Sequence, residues 1–524
     1  MTKKLYPSDL FWDATESYTY YPKIIKENYS KIFRQNFKKF NLWIDGLSKE
    51  NLKDYNWWLT RLASRDERIS SIFHNIVVYK SILKIRNYKT NVVLLTNSKK
   101  LKILLDQKNF NNIEIKLKNY KSFTKRLYLC LKEFSLLIIN ICLVKVFFKF
   151  KHNKNESLNL VDFFDINQKK QVKKYFGNFI TNRNSNYLYV PTFLNYSPKN
   201  IIAQLNKKNI LLREYFIEFE DIFVIFKSLF IKKFKFNGKF SGINFSILLN
   251  EEFKFDTNLR SILIAYQNYM FFKNLKKKDF KINNVISWNE NQIIDKGWSL
   301  GIKKYYPKLN YVAYNGSTLH PQFFNLSPTK TEFLSGAIPK KILIIGKSYL
   351  KNRNLFFNKI NYKIAKTSRF KFNIKAKKKY ILFLLSGIKH SDKVLVDFYE
   401  KFKKNKIKNI RIKFHPILPS KSFNKYFTDE IKGDGSQIIK SSYIVITTSY
   451  TSGLYESISN NSYTVLLESS VLDKNLFKFL KNYSSKILLS SNYNDMGRQI
   501  KKINNKINLK YKDNKRVKKY FFNC

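Results

Sequence analysis

The chain predicts an α/β protein of two Rossmann-like halves facing a cleft, preceded by a helical N-terminal extension. Three observations carry this. Short apolar runs alternate with amphipathic stretches at 91–117 and again at 341–467, the pattern of parallel strands joined by crossover helices. A segment with Pro328, Gly336 and Pro339, residues 327–340, separates two such regions. Strand ends run into Asn, Ser, Thr, Gly and His, and ligands of open α/β sheets bind beyond the carboxyl ends of strands.

Taken in order, residues 1–88 read as a helical region carrying Trp12, Trp43, Trp57 and Trp58. Residues 89–335 read as a first Rossmann-like unit. Its strands fall at 91–96, 113–117, 158–164, 187–190, 284–288 and 309–314, with helices at 99–107, 201–208 and 257–278, and a strand-like 210–213. A basic, apolar insertion near 121–152 interrupts it. The aromatic stretch 216–236 has the spacing of an amphipathic helix, for which core packing is the commoner meaning. Residues 336–490 read as the second, nucleotide-binding unit. Its strands are 341–345, 380–385, 410–414, 443–447 and 464–467, with helices at 391–404 and 452–459. Residues 491–524 complete the chain with a helix and a basic tail expected to fray.

At 524 residues, 44% of them hydrophobic, the chain can bury a large core, and about two to four domains are expected. Lys and Arg number 98 against 37 Asp and Glu, a formal charge of +61. That excess suits an anionic surface or a phosphorylated substrate. The abundance of Lys, Asn, Ile, Phe and Tyr, all with A/T-rich codons, offers genome composition as the other account. No nucleic-acid-binding signature accompanies the charge, so nucleic acid is not an expected partner. Cys130, Cys142 and Cys524 form no CxxC pair, which speaks against a zinc site or a disulfide framework and fits a cytoplasmic setting. No apolar leader is visible at Met1–Asp13. The run 134–148, flanked by Lys121, Lys125, Arg126, Lys132, Lys149 and Lys151, suits a helix lying on an anionic leaflet. The expectation is therefore a protein peripheral to the inner face of the cytoplasmic membrane.

Two strand ends of the second unit hold the chemistry. The strand 410–414 ends in His415-Pro416. The strand 443–447 runs through Ser449, Tyr450, Thr451, Ser452 and Gly453 into a helix carrying Glu456. A ring nitrogen, several hydroxyls and a helix N-terminus outline a nucleotide-phosphate pocket without a P-loop. In the first unit the strand 284–288 ends in Asn289-Glu290-Asn291-Gln292.

The run VISWNENQ (285–292), then Tyr306-Pro307, YVAYNG (311–316) and LSPTKTEFLSGAIPKKILIIG (326–346) resembles bacterial surface-polysaccharide and capsule biosynthesis transferases of the GT-B type. WWLTRLASRDERISSIF (57–73) matches by pattern. The His415-Pro416 element and the hydroxyl loop are similar to the HP and Ser-Ser motifs of sialyl-, polysialyl- and Kdo-type capsule transferases. The hydroxyl pair is split here, and Gly433-Asp434-Gly435 only echoes the acidic motif of the sialyl enzymes.

The resemblance implies a glycosyltransferase using a CMP- or UDP-type nucleotide-sugar donor and a surface polysaccharide or lipid-linked glycan as acceptor. His415, Pro416, Ser449, Thr451, Ser452, Gly453 and Glu456 would hold the nucleotide, with Glu456 on the ribose. His415 would also stabilise the leaving phosphate. Glu290 is the candidate base; ordering of the loop with Asn291 and Gln292 is its other reading. No clustered Asp-x-Asp is present, so no metal and no cofactor are expected. Glu332 reads as a hinge residue pairing with Lys340 or Lys341. The alternatives are a CDP-polyol phosphotransferase of teichoic-acid type and a non-catalytic basic scaffold tethered to membrane.

Overall fold

The computed structural model describes residues 10–67, 69–87, 90–120, 123–150, 156–164, 176, 187–193, 196–230, 234–253, 259–318, 323–365, 378–415, 423, 429–504 and 515–522. Strands β1 (Leu10–Asp13), β2 (Val92–Thr96) and β3 (Ile113–Leu117) pair in that order, all parallel. In the next sheet, β4 (Leu158–Phe164) lies beside β5 (Tyr187–Thr192). A small antiparallel ribbon joins β6 (Lys239–Phe240) to β7 (Ile243–Asn244). Then come β8 (Ile282–Trp288), β9 (Asn310–Asn315), β10 (Lys341–Ile344) and β11 (Asn361–Ile364). They complete a parallel sheet ordered β11-β10-β9-β8-β4-β5. The last sheet contains β12 (Tyr380–Leu384), β13 (Ile410–Lys413), β14 (Ser442–Thr447), β15 (Tyr463–Leu467) and β16 (Ile487–Ser490), ordered β13-β12-β14-β15-β16 and parallel throughout.

The expected class, two Rossmann-like units with a helical N-terminal extension, is the observed one. Three details differ. The N-terminal region is not wholly helical, because Leu10–Asp13 pairs with β2 and buries Trp12 completely. The first unit's strands divide between two sheets. And 341–345, expected to open the second unit, belongs to the first: Ile342 pairs with Ala313 of β9 and with Tyr362 of β11. The Pro/Gly segment before it is a crossover within one sheet. It carries the short helix Lys330–Ser335, which Gly336 ends in the left-handed conformation at φ 83°. The change of sheet falls between β11 and β12.

The helix Leu259–Lys277 explains how the second sheet is covered. Every residue from Ile262 to Phe272 is buried, so it is enclosed on all sides rather than amphipathic. It packs on the helix Ile293–Tyr305, and small residues set the distance. A Cβ on Gly297 would meet the Ala265 carbonyl oxygen at 2.2 Å, and one on Gly301 would touch Phe272 at 3.0 Å. Two buried asparagines of the longer helix are bonded: Asn268 Nδ2 donates to the Ile294 carbonyl across the contact at 3.1 Å, and Asn274 Nδ2 to that of Phe216 at 2.7 Å.

The 28-residue helix Lys23–Glu50 packs on Ile72–Ile85 and forms the outer wall of the N-terminal region. One hydrophobic core runs from these helices into the last unit, where it includes Leu454, Tyr455 and Leu476. The chain end closes it. The helix Lys515–Phe522 buries Phe521 and Phe522, and the Phe521 ring lies 5.0 Å from Tyr455 and 6.3 Å from Tyr349. The tail is therefore anchored at its aromatic end.

Gly297→Ala is expected to destabilise the protein by about 1–3 kcal/mol, because the opposing atom is backbone and cannot rotate away. Gly46→Ala, in the helix Lys23–Glu50 with nothing within 4 Å of the added methyl, is the control and is expected to be neutral or stabilising. Thermal melts of both variants check this; equal melting temperatures would show that the two packed helices can separate at no cost.

Candidate active site

Segments far apart in the chain converge on one buried carboxylate. Thr329 caps the helix Lys330–Ser335 and Glu332 reaches back: the Glu332 amide donates to Thr329 Oγ1 at 3.3 Å, and the Thr329 amide to Glu332 Oε2 at 2.9 Å. The same carboxylate accepts from Arg65 Nη2 at 2.6 Å, Lys296 Nζ at 2.7 Å and Asn291 Nδ2 at 3.1 Å. Glu332 is thus not paired with Lys340 or Lys341 as expected. Arg65, left-handed at φ 55°, also donates to the carbonyls of Phe324 at 3.1 Å and Ser327 at 2.9 Å. Lys296 donates to the Ala63 carbonyl at 2.8 Å and lies 5.3 Å over the Trp58 ring. Burial alone would raise the Glu332 pKa, but the Arg65 and Lys296 charges outweigh it and hold it at about 2.

This junction fixes the start of a segment that builds a cleft. A cavity of about 560 Å³ lies where the carboxyl ends of two parallel sheets meet. On one side are residues 14–17 beyond β1, Asn97 and Ser98 beyond β2, Asn119 beyond β3, and a run including Glu67 and Ile69–Asn75. On the other are His390, Tyr450 beyond β14, and Ser469 and Ser470 beyond β15. In a chain of +61, the described residues of the walls include Glu16, Glu67, Glu251 and Glu252 against one arginine, Arg61.

Several of these groups have assigned partners. Glu16 meets Lys393 at 2.7 Å and Lys118 at 3.6 Å. Arg61 Nε lies 3.6 Å from Glu252. Ser98 caps the helix Lys99–Asp106, accepting from the Leu101 amide at 3.0 Å while its hydroxyl donates to Glu251 at 2.5 Å. His74 has both ring nitrogens engaged. The Ala14 carbonyl, 3.0 Å away, can only accept, so Nε2 carries the proton and Nδ1 accepts from the Tyr29 hydroxyl at 2.8 Å. Burial pushes the His74 imidazole down to about 4, which keeps it neutral. His390, at the start of the helix Lys389–Lys404, is exposed to the cleft, and the surrounding protein lowers its pKa. Its ring meets Tyr450 edge-on at 5.9 Å, and Tyr450 stacks on Phe323 at 5.7 Å.

The residues singled out from sequence surround this cleft more than they line it. His415 is half-buried beyond β13, the edge strand, and Pro416 lies outside the described residues. Since β12 separates β13 from β14, the His415 end and the hydroxyl loop are about 10 Å apart across the sheet. Ser449 is buried; Thr451 Oγ1 accepts from the Gly453 amide at 3.2 Å. Gly453 permits close packing, because a Cβ there would meet Leu384 Cδ2 at 2.1 Å. Glu456, 4% exposed, is enclosed in its domain. The preceding Thr448 hydroxyl bonds Ser391 at 2.6 Å, tying the loop to the His390 helix. Of the loop, Tyr450 lines the cavity.

Glu290 does not line the cleft. Its oxygens accept from Trp288 Nε1 at 3.1 Å and Gln292 Nε2 at 3.2 Å, and its amide donates to Asp295 at 2.7 Å. This is a loop-ordering arrangement. Sequence reasoning passed over Glu67, Glu251, His74 and His390. Glu67 lies within the 57–73 stretch, and His390 follows Ser386-Gly387 at a strand end, the same signal that drew attention to His415.

No protein-family model matches the sequence, and no curated protein is significantly similar to it. Among solved structures, the chain is similar to MurG of Acinetobacter baumannii, with a TM-score of 0.36 and 10% identity over 66% of this chain and 90% of that one. It is also similar to the glycosyltransferase SsfS6 of Streptomyces sp. SF2575, with a TM-score of 0.31 and 9% identity over 64% and 88% of the two chains. A third is the trehalose 6-phosphate synthase of Burkholderia multivorans, with a TM-score of 0.33 and 8% identity over 68% and 90%. The fold assignment rests on the sheets themselves.

Glu332→Gln would leave two buried cations facing a neutral group, a loss of about 3–5 kcal/mol near neutral pH. The folded pKa lies below the ordinary 4.5, so this stabilisation is complete above about pH 4.5 and is lost as pH falls toward 2. The gap in melting temperature between wild type and variant should therefore narrow across that window. A constant gap would show that the carboxylate's charge is not what holds the junction.

Proposed function

We propose that this protein is a glycosyltransferase, moving a sugar from a nucleotide-sugar donor to an acceptor hydroxyl in the cleft. The observation that carries the reading is the meeting of two parallel sheets' carboxyl ends around one cavity, where open α/β sheets take their ligands. On this reading the last unit takes the nucleotide, of CMP or UDP type, through the loops after β12, β13, β14 and β15. His415, Pro416 and the loop 449–453 remain its nucleotide-side candidates, with Glu456 supporting the loop's helix. Neutral donors, including His390, meet the leaving phosphate. The sequence resemblance supports a surface polysaccharide or lipid-linked glycan as acceptor.

The acidic wall supplies the base. An acceptor hydroxyl must lose its proton as the new glycosidic bond forms, and the donor's phosphate leaves with the electrons of the broken bond. Glu67 and Glu251 belong to the wall opposite His390 and Tyr450, which sets the base across the cleft from the leaving phosphate with the donor sugar between them. Both replace Glu290 as the leading choice, because its carboxylate faces Trp288 and Gln292.

Two measurements test this. In a thermal-shift panel, CMP or UDP is expected to raise the melting temperature, since a ligand that binds only the folded state stabilises it. In transfer assays, Glu67→Gln or Glu251→Gln should lower the rate by about 10²–10⁴ with the nucleotide shift retained, whereas Glu290→Gln keeps near-normal turnover. Loss of turnover in Glu290→Gln alone would return the base to that loop. Cleavage of CDP-glycerol, with nucleotide-sugars untouched, would replace the glycosyltransferase reading by the polyol-phosphate one.

A further inference from the structure

The helix Phe123–Phe147 is long and apolar enough to cross a membrane, yet only 33% of the most apolar part of its stretch Leu127–Phe147 is buried. One face is core: Leu137, Ile141 and Val144 are fully enclosed against the helix Leu259–Lys277 and its neighbours. The opposite face is also apolar and meets solvent, with Leu131 at 47%, Ile139 at 46% and Val146 at 68% exposure. Beside it lies the helix Phe219–Phe230, joined through the Phe134–Phe226 ring contact at 5.3 Å and the Lys145–Glu218 ion pair at 3.2 Å. This second helix buries Ile222 and Ile225 but exposes Phe219 at 62%, Phe223 at 69% and Phe226 at 37%. The spacing of four and three residues makes those phenylalanines one stripe. Core packing, the commoner expectation for this stretch, holds for its inner face only.

Two adjacent helices with inward faces in the core and outward faces apolar are unusual on a monomer, whose exposed apolar patches seldom exceed a few hundred Å². Charge identifies the occupant. Lys125, Lys132, Lys149 and Lys227 are exposed around the patch, on a chain of +61. The nearby carboxylates are neutralised: Glu133 accepts from Arg260 at 2.6 Å, and Glu218 pairs with Lys145 at 3.2 Å and Lys278 at 2.7 Å. Among the described side chains of the two helices, Glu220 is the one exposed carboxylate.

We propose that these two helices form a monotopic docking face that lies flat on an anionic phospholipid leaflet, the phenylalanine stripe entering the acyl boundary and the lysines meeting headgroups. Crossing the bilayer is disfavoured, because it would strip Leu137, Ile141 and Val144 from the core. The proposal is independent of the transfer chemistry and is read without any substrate.

The test is flotation of the full-length protein with vesicles of phosphatidylcholine, with and without phosphatidylglycerol. The wild type should float with the anionic vesicles at low salt and dissociate as salt rises. The double variant Phe219→Ser, Phe223→Ser should partition on the order of a hundredfold more weakly, since each buried phenylalanine is worth tenfold or more. Its melting temperature should match the wild type, because both side chains are already exposed. A wild type that stays unbound at low salt overturns the proposal, as does a double variant that floats equally well. Sedimentation showing a dimer that the double variant dissolves would assign the face to a second copy and overturn it as well.

Discussion

Much of the architecture depends on a carboxylate placed between two cations where no water reaches. Glu332 lies 267 residues beyond Arg65 and 36 beyond Lys296 in sequence, and all three side chains are at most 2% exposed. Removing charges from water costs several kcal/mol for each ion, so a triad of this kind stands only when every member is bonded. Here each one is. The capping box holds Glu332, the Phe324 and Ser327 carbonyls and the Asn41 side chain accept from the Arg65 Nη groups, and Lys296 adds the Ala63 carbonyl. The junction fastens the N-terminal helices to the crossover between β9 and β10. From that fixed point the chain soon reaches the cleft wall at Glu67 and Ile69–Asn75.

The motifs that resemble polysaccharide transferases thus do two different things. Arg65, Asn291, Thr329 and Glu332 lock the first unit together. The hydroxyl loop after β14 brings Tyr450 to the cavity, whose other walls come from strand-end loops outside those motifs. Charge divides in a similar way. Lysines cover the exterior while glutamates collect in the cleft, so the overall +61 does not describe the environment a bound ligand meets. An acidic interior suits hydroxyl-rich groups and proton removal, and it leaves phosphate recognition to hydrogen-bond donors.

Strands with local signals were legible in the sequence. β8, β9, β12, β14 and β15 are apolar runs ending in small polar residues, and each forms close to where its pattern places it. What failed was pairing, which no local pattern encodes. Lys341–Ile344 reads equally well as the first strand of a new unit or the next strand of an old one, and only its partner Ala313–Asn315 decides. β1 has four residues, too few for a period to show. The site was half legible for the same reason. The rule about strand ends led to the loop that carries Tyr450 and applies equally to His390, while Glu67 and Glu251 gain meaning only when two sheets bring them to one cavity. Glu290 does stand at a strand end, as its position in the sequence suggests, and there a tryptophan and a glutamine two residues away on either side donate to its carboxylate.

The central claim is that one cleft, built from both units, binds the donor. Hydrogen–deuterium exchange with and without a CMP- or UDP-sugar tests it directly. Slower exchange is expected on both walls at once, in 69–75 and 97–98 on one side and in 386–390, 449–453 and 469–471 on the other. Protection confined to a single unit, or located away from these loops, would contradict the account.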